Sequence, residues 1–410
     1  MTSGPLQGIR VADFSWAWAG PYATMLLAMA GAEVIRIETL GRLDFIRAGG
    51  SRARAGGAAP SEEVTVNLSP SFNTMNLNKK AVQLDLNQPE AVHLAKELVR
   101  ISDVVLENYR PGAMDKFGLG YEELRKIRPD IVMISVSGMG QVGPERGYSA
   151  LAVNFGALSG MSYLTSYPDG IPTEMRGPMD LLTGTTACFA TLAALRHRRR
   201  TGEGQYVDLA AREAITTLLG DLLMDYALNE RPLEPMGNRH PSLAPHGVYP
   251  CSEEDSWITI AVGNDAEWRA LCTVMGRPEL TDDTRFSDAL SRWHHQEELD
   301  ELIGAWTQGC RDIDLMRRLQ AGGVAAAPSF SNKEFWEDEH LRQRGVYAEV
   351  THPEMGHQVV MGPPFRLPAT PLEITAPGPL MGQHTREVFC GLLGLSEQEF
   401  DRLSAQKVFY

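Results

Sequence analysis

A strand, a helix and a second strand open this chain in quick succession, and that order constrains the architecture more than any other feature. Ile9 to Phe14 (IRVADF) is a short β-rich run, YATMLLAMA continues as an apolar helical pattern, and Glu33 to Glu38 (EVIRIE) is a second strand. Pro21 falls where a first helical turn tolerates proline, and Gly31 can close the helix. Two strands joined through a helix lie parallel, with a right-handed crossover. The alternation continues through VQLDL (Val82 to Leu86), EAVHLAKELVRI (Glu90 to Ile101), DVVLEN (Asp103 to Asn108), YEELRKI and DIVMISVS (Asp130 to Ser137). After a long helical pattern beginning at Asp180, YVDLAA (Tyr206 to Ala211) supplies a further strand. Such a pattern predicts an open, doubly wound α/β layer. Only the stretch from about Arg42 to Pro70, rich in Gly, Ala, Ser and Arg, reads as a loop excursion.

The texture changes near Pro241. GVYPCSEEDSWITIAV reads as two antiparallel strands around an acidic turn, and AEWRALCTVMG as a helix, so a smaller α+β domain is expected, ending around Pro328. The proline-rich tail closes with helical patterns in HTREVFCGLLG and SEQEFDRLSAQ.

Composition narrows the function. With 38 basic and 52 acidic residues the net charge is −14, which argues against a nucleic-acid binder while leaving room for a local basic pocket. The 5 cysteines are widely spaced and form no CxxC pair, so a disulfide framework is not expected and a reducing compartment is. MTSGPLQGIR lacks a signal pattern, and the longest apolar stretch already carries Glu33. Together these readings predict a cytoplasmic protein with no membrane segment. Histidines are scattered: His294 and His295 are adjacent, and His352 and His357 fall in a Pro/Gly-rich stretch read as loop, so no metal site is expected.

Three motifs have competing readings. SGMGQVGP (Ser137 to Pro144) contains GxGxxG after a strand, yet Pro144 and Glu145 stand where a dinucleotide fold needs an apolar helix. Its glycines read better as a tight turn beside a bound group. RHRRR (Arg196 to Arg200) ends a helix, where cations complement the helix dipole and face water. Asp180 stands at the start of a helix with Gly184 behind it. It reads as an N-cap, but a carboxylate there is also a ready nucleophile that needs no base.

Taken in order, LQGIRVADFSWAWAGP, GAEVIRIE, NLNKKAVQLDL, ENYRPGAMDKFGLGYEEL, SGMGQVGP, PMDLLTG, TGEGQYVDL, HGVYP and MGQHTREVF resemble the family III CoA-transferases over nearly the whole chain. The resemblance implies a Rossmann-like large domain (1–225) that binds CoA, a small domain (226–330), and a segment (331–410) that returns to the large one. It also implies an interlocked dimer. WAWAGP is similar to the benzylsuccinate-type members, some of which pair different subunits, so a homodimer and a heterodimer with a related subunit are both expected alternatives.

By the same resemblance Asp180 is the nucleophile, forming a mixed anhydride and then an aspartyl–CoA thioester. An acyl-CoA and a carboxylic acid are the implied substrates, with no tightly bound cofactor. CoA contacts map onto Trp18, Ala19, Leu84, Asn87, Asn108, Tyr109 and Lys116. Trp18, in place of the family's common Gln, suggests an apolar or aromatic acid; succinyl-CoA and acetyl-CoA are both candidate donors. Lys79, Lys80 and Arg110 read as solvated surface cations. The family's glycine-rich loop corresponds to AVGNDAEW, where only Gly263 remains. The related α-methylacyl-CoA racemases are the alternative. They pair a His with the Asp180 equivalent, whereas this chain has Tyr148 near that place and no His between Gly138 and Gly160.

Overall fold

The structure, a computed structural model, describes residues 4–54, 66–173, 175 and 177–410. They divide into two compact units. The larger comprises residues up to Ser162, the segment 174–230 and His340–Tyr410.

Its centre is a six-stranded sheet: β1 (Arg10–Asp13), β2 (Glu33–Glu38), β3 (Lys80–Gln83), β4 (Val104–Glu107), β5 (Val132–Ser137) and β6 (Tyr206–Ala210). All neighbours pair in parallel, in the order β3-β2-β1-β4-β5-β6. Successive residues on each strand point to opposite faces. Val11, Val34, Val104 and Val132 therefore face the helices Ala19–Met29 and Pro178–Thr201, packing on Ala23, Leu27, Ala187 and Ala194. Ala12, Ile35, Val105 and Met133 face the other way, onto Leu94 and Leu98 of the helix Pro89–Arg100 and onto Phe389, Phe400 and Leu403 near the C-terminus. With both faces buried, a slip of one residue would exchange the two cores, so the register is strongly specified.

Several expectations need correction. β3 ends at Gln83, so Leu84 to Leu86 lie beyond it. The stretch read as a loop carries helices at Phe45–Arg54 and Pro70–Met75; 55–65 lie outside the described residues. His352 and His357 are not in a loop but on β10 (Tyr347–His352) and β11 (Gly356–Met361), an antiparallel hairpin that the proline content of the tail obscured. Val350 and Val360 pin that hairpin to Met25, Met29 and Leu77.

Lys79 is not a surface cation. Its ammonium is fully buried and touches Asp13 Oδ2 at 3.1 Å, Thr24 Oγ1 at 2.7 Å, Asn76 Oδ1 at 2.9 Å and the Pro21 carbonyl at 2.9 Å. Burial pushes its pKa down to about 8, with Asp13 opposing. Arg36 and Arg47, also buried, pair with Asp44 and Glu38. Three acids thus balance three bases in a buried cluster, and removing one member would cost roughly 3–5 kcal/mol.

The second unit comprises Tyr163–Thr173 and Arg231–Glu339. Its antiparallel sheet of β7 (His246–Pro250), β8 (Trp257–Ala261) and β9 (Ala325–Pro328) packs on helices Asp265–Met275, Gln296–Thr307 and Asp312–Ala321. Trp268, Leu271, Ile303 and Leu315 fill its core.

Candidate functional site

In an open parallel sheet the strand order reverses at one point, and ligands bind beyond the carboxyl ends of the strands there. Here that point lies between β1 and β4, the former leading to β2 and β3 and the latter to β5 and β6. The chain leaving β1 carries Trp16, Ala17 and Trp18; the chain leaving β4 carries Asn108, Tyr109 and Arg110. Asn108 Oδ1 accepts from the Trp16 amide at 2.7 Å, and Asn108 Nδ2 donates to the Trp16 carbonyl at 2.8 Å. Trp16 meets Tyr109 edge-on, with ring centroids 5.8 Å apart.

A cavity of about 430 Å³ opens beside this pair. Its wall includes Trp16, Trp18, Ala19, Asn108, Arg110 and Asp180. Asp180 arrives on the helix Pro178–Thr201, which starts with Pro178 after a left-handed Gly177 (φ 91°). It is therefore the third helical residue and not the N-cap, a correction that arises because Pro178 takes the first position. Gly184, one turn on and on the same face, explains how the carboxylate reaches the cavity. A Cβ at Gly184 would stand 2.5 Å from the Ala19 carbonyl oxygen, so only glycine lets this helix approach the start of the helix Ala19–Met29. Burial pushes the Asp180 carboxyl up to about 6, with no cation or hydrogen bond offsetting it among the described residues.

A second cavity, of about 390 Å³, adjoins the same loops. Leu84, Asn87, Tyr109 and Lys116 line it together with Trp16, Arg42 and Arg110. The candidate contacts thus sort into two groups: Trp18, Ala19 and Asn108 with Asp180, and Leu84, Asn87 and Lys116 in the neighbouring cavity, with Tyr109 common to both. Asn108 uses its side-chain amide to hold Trp16. Tyr148, exposed, lines a third recess with Arg146, Ser137 and Asn154 and is absent from the lining around Asp180.

Gly263 belongs to the second unit. Its amide donates to Glu267 Oε2 at 2.6 Å, next to Asn264, which caps the helix Asp265–Met275. In SGMGQVGP, Gly140 and Gly143 are left-handed (φ 86° and 92°), and the next helix waits until Ala152. The glycines therefore make a turn, which is held where Asp208 accepts from the Gln141 amide at 2.9 Å. Arg198, within the basic run, does not simply face water: it pairs with Asp103 at 2.7 Å and Asp130 at 2.8 Å.

Sequence reading missed Trp16 and Arg42 and set Arg110 aside as solvated. All three line both cavities, and the Arg42 guanidinium lies 5.0 Å from the centre of the Trp16 ring. The signal available was position: Arg110 follows Tyr109 directly, and Trp16 stands two residues before Trp18.

Known proteins share the family and the fold. The family model described as CoA-transferase family III matches residues 6–385. The succinyl-CoA–D-citramalate CoA-transferase of Chloroflexus aurantiacus is 36% identical, over 98% of this chain and 98% of its own. From the same organism, the succinyl-CoA–L-malate CoA-transferase beta subunit is 32% identical over 99% of this chain and 98% of its own. Among solved structures, a CAIB/BAIF family protein from Brucella suis superposes with a TM-score of 0.84 at 28% identity, covering 96% of this chain and 100% of that one.

Proposed function

The chain belongs to CoA-transferase family III, and on that premise we propose that it carries CoA from a succinyl-CoA-like donor to a short dicarboxylic acid through Asp180. The observation that carries this reading is the half-buried Asp180 carboxyl on the wall of the switch-point cavity, with a pKa near 6. Above that pH it is ionised, yet more basic than an ordinary carboxylate and so a better nucleophile.

The Asp180 carboxylate attacks the thioester carbonyl, and the tetrahedral adduct expels CoA thiolate to leave a mixed anhydride. Attack of the thiolate on the aspartyl carbonyl releases the donor acid and forms an enzyme–CoA thioester. The acceptor carboxylate attacks that thioester and expels CoA thiolate, giving a second anhydride. Finally the thiolate takes the acceptor acyl group and frees Asp180. No tightly bound cofactor enters; the thioester is substrate. Leu84, Asn87, Tyr109 and Lys116 would hold the CoA moiety, with Lys116 offering a cation for its phosphates.

Trp18 alone suggested an apolar or aromatic acid. The named relatives act on D-citramalate and L-malate, and Arg42 and Arg110 on the Asp180 cavity wall suit a second carboxylate. We therefore favour a dicarboxylate. An interlocked pair, of two such chains or of this chain with a related subunit, belongs to the same reading.

The test is isotope exchange. The purified chain is incubated with succinyl-CoA and labelled acids, short dicarboxylic acids beside an aromatic one, in deuterium oxide. Label should enter the thioester from a dicarboxylate, and no deuterium should appear at an α-carbon. Rapid α-deuteration without acyl exchange would overturn the reading in favour of a racemase. Exchange only after a second, related chain is added would assign the activity to a heteromer.

A further inference from the structure

Ala17, between the two cavity-lining tryptophans, is one of the few non-glycine residues with a left-handed backbone (φ 58°). L-residues other than Asn and Asp avoid that region, because Cβ crowds the following carbonyl. Such strain persists only where the surroundings over-determine it, and here the surroundings can be named. On one side, Asn108 grips both the amide and the carbonyl of Trp16. On the other, Asp44 Oδ2 accepts from the Ala17 amide itself at 3.1 Å.

Asp44 is buried and has no freedom of its own. The same Oδ2 takes the Arg36 guanidinium at 2.7 Å, and Oδ1 takes the Ile46 amide at 2.9 Å. Arg36 in turn reaches Glu38 and Asn76, and Asn76 holds Lys79, which is bound to Asp13 at the end of β1. Asp44 thus joins the buried charge cluster to one peptide group on the cavity rim.

We propose that Asp44 is a positioning residue: its buried carboxylate holds Ala17 left-handed and so sets Trp16, Trp18 and the start of the helix Ala19–Met29 against Asp180. The inference rests on Asp180 as the reacting group, but it concerns the shape of the loop and not the chemistry on it. Without Asp44, Ala17 relaxes to an ordinary conformation, and Trp18 and Ala19 leave the cavity wall.

The experiment is a rescue. Asp44→Asn should lower kcat at least tenfold and shift the tryptophan emission, because Trp16 and Trp18 change surroundings. Glycine adopts the left-handed region freely, so Ala17→Gly placed on Asp44→Asn should restore kcat at least threefold towards the level of the Ala17→Gly chain. The thermal midpoint of the double variant should stay as low as that of Asp44→Asn, since Arg36 is still without the Asp44 carboxylate and keeps only Glu38 and Asn76. A folded double variant with no gain in kcat would overturn the proposal, as would an Asp44→Asn loss that merely tracks the unfolded fraction. Should Asp44→Asn fail to fold, Ala17→Val supplies the test with the charge cluster intact. A β-branched residue resists the left-handed region more strongly than alanine, so its kcat should fall and its emission shift; unchanged values for both would sink the idea. If wild-type protein moves no CoA either alone or with a related chain added, the Asp180 reading has failed, and the emission shifts still decide the role of Asp44.

Discussion

Asn108 and Trp16, 92 residues apart, hold each other by two hydrogen bonds across the place where the sheet reverses its order. One side chain satisfies both polar groups of one residue, so it works as a backbone clamp. Asn108→Ala should cost about 1–3 kcal/mol through two lost hydrogen bonds, and CoA transfer should fall at least tenfold as Trp16 is released. Denaturant melts and steady-state assays check both. A variant of normal activity would remove the clamp from the site.

Asp180→Asn should abolish turnover while making the protein more stable at neutral pH. The folded carboxyl titrates near 6, above its ordinary 3.8. A group with a raised folded pKa contributes stability below its unfolded value and loses it as pH rises through the folded one. Asparagine does not titrate, so its advantage over the wild type should be near zero below pH 4 and reach on the order of 1–3 kcal/mol at pH 7. Thermal melts across pH measure this, and equal midpoints at pH 7 would mean Asp180 is not desolvated.

On the proposed mechanism the same titration sets the rate. With the nucleophile needed as its anion, kcat/KM for the acyl-CoA should fall tenfold per pH unit below about 6 and level off above it. An inflection near 4 instead would show that Asp180 meets water freely.

Lys116→Ala should weaken CoA binding severalfold at low salt, and the loss should shrink as ionic strength rises and screens the phosphate contact. Titration with CoA at two salt concentrations decides it. An affinity that does not change returns Lys116 to the solvated surface.

Gly184→Ala forces a methyl into the 2.5 Å approach to the Ala19 carbonyl. Overpacking of this kind costs typically 1–3 kcal/mol. Since the two helices that separate are those carrying Asp180 and Ala19, activity should fall further than stability. A stable, fully active variant would show that their spacing is not critical.

What the sequence determined by itself was whatever is local or periodic. The apolar runs IRVADF, EVIRIE and DIVMISVS mark the strands, and the helix between the first two fixes their parallel sense. PMDLLTG pointed to Asp180, and the ordered motifs to the family, because each is a short run whose chemistry needs neighbours in the chain. Tertiary structure alone decided the rest. Lys79 went inside because Asp13, Thr24 and Asn76 converge on its ammonium. Arg42 and Trp16 became cavity walls, and Asp44 came to accept from the Ala17 amide, through contacts between segments that periodicity does not relate. Propensity and pattern act over a few residues; whether a charge is buried and paired depends on which distant residues the folded chain brings beside it.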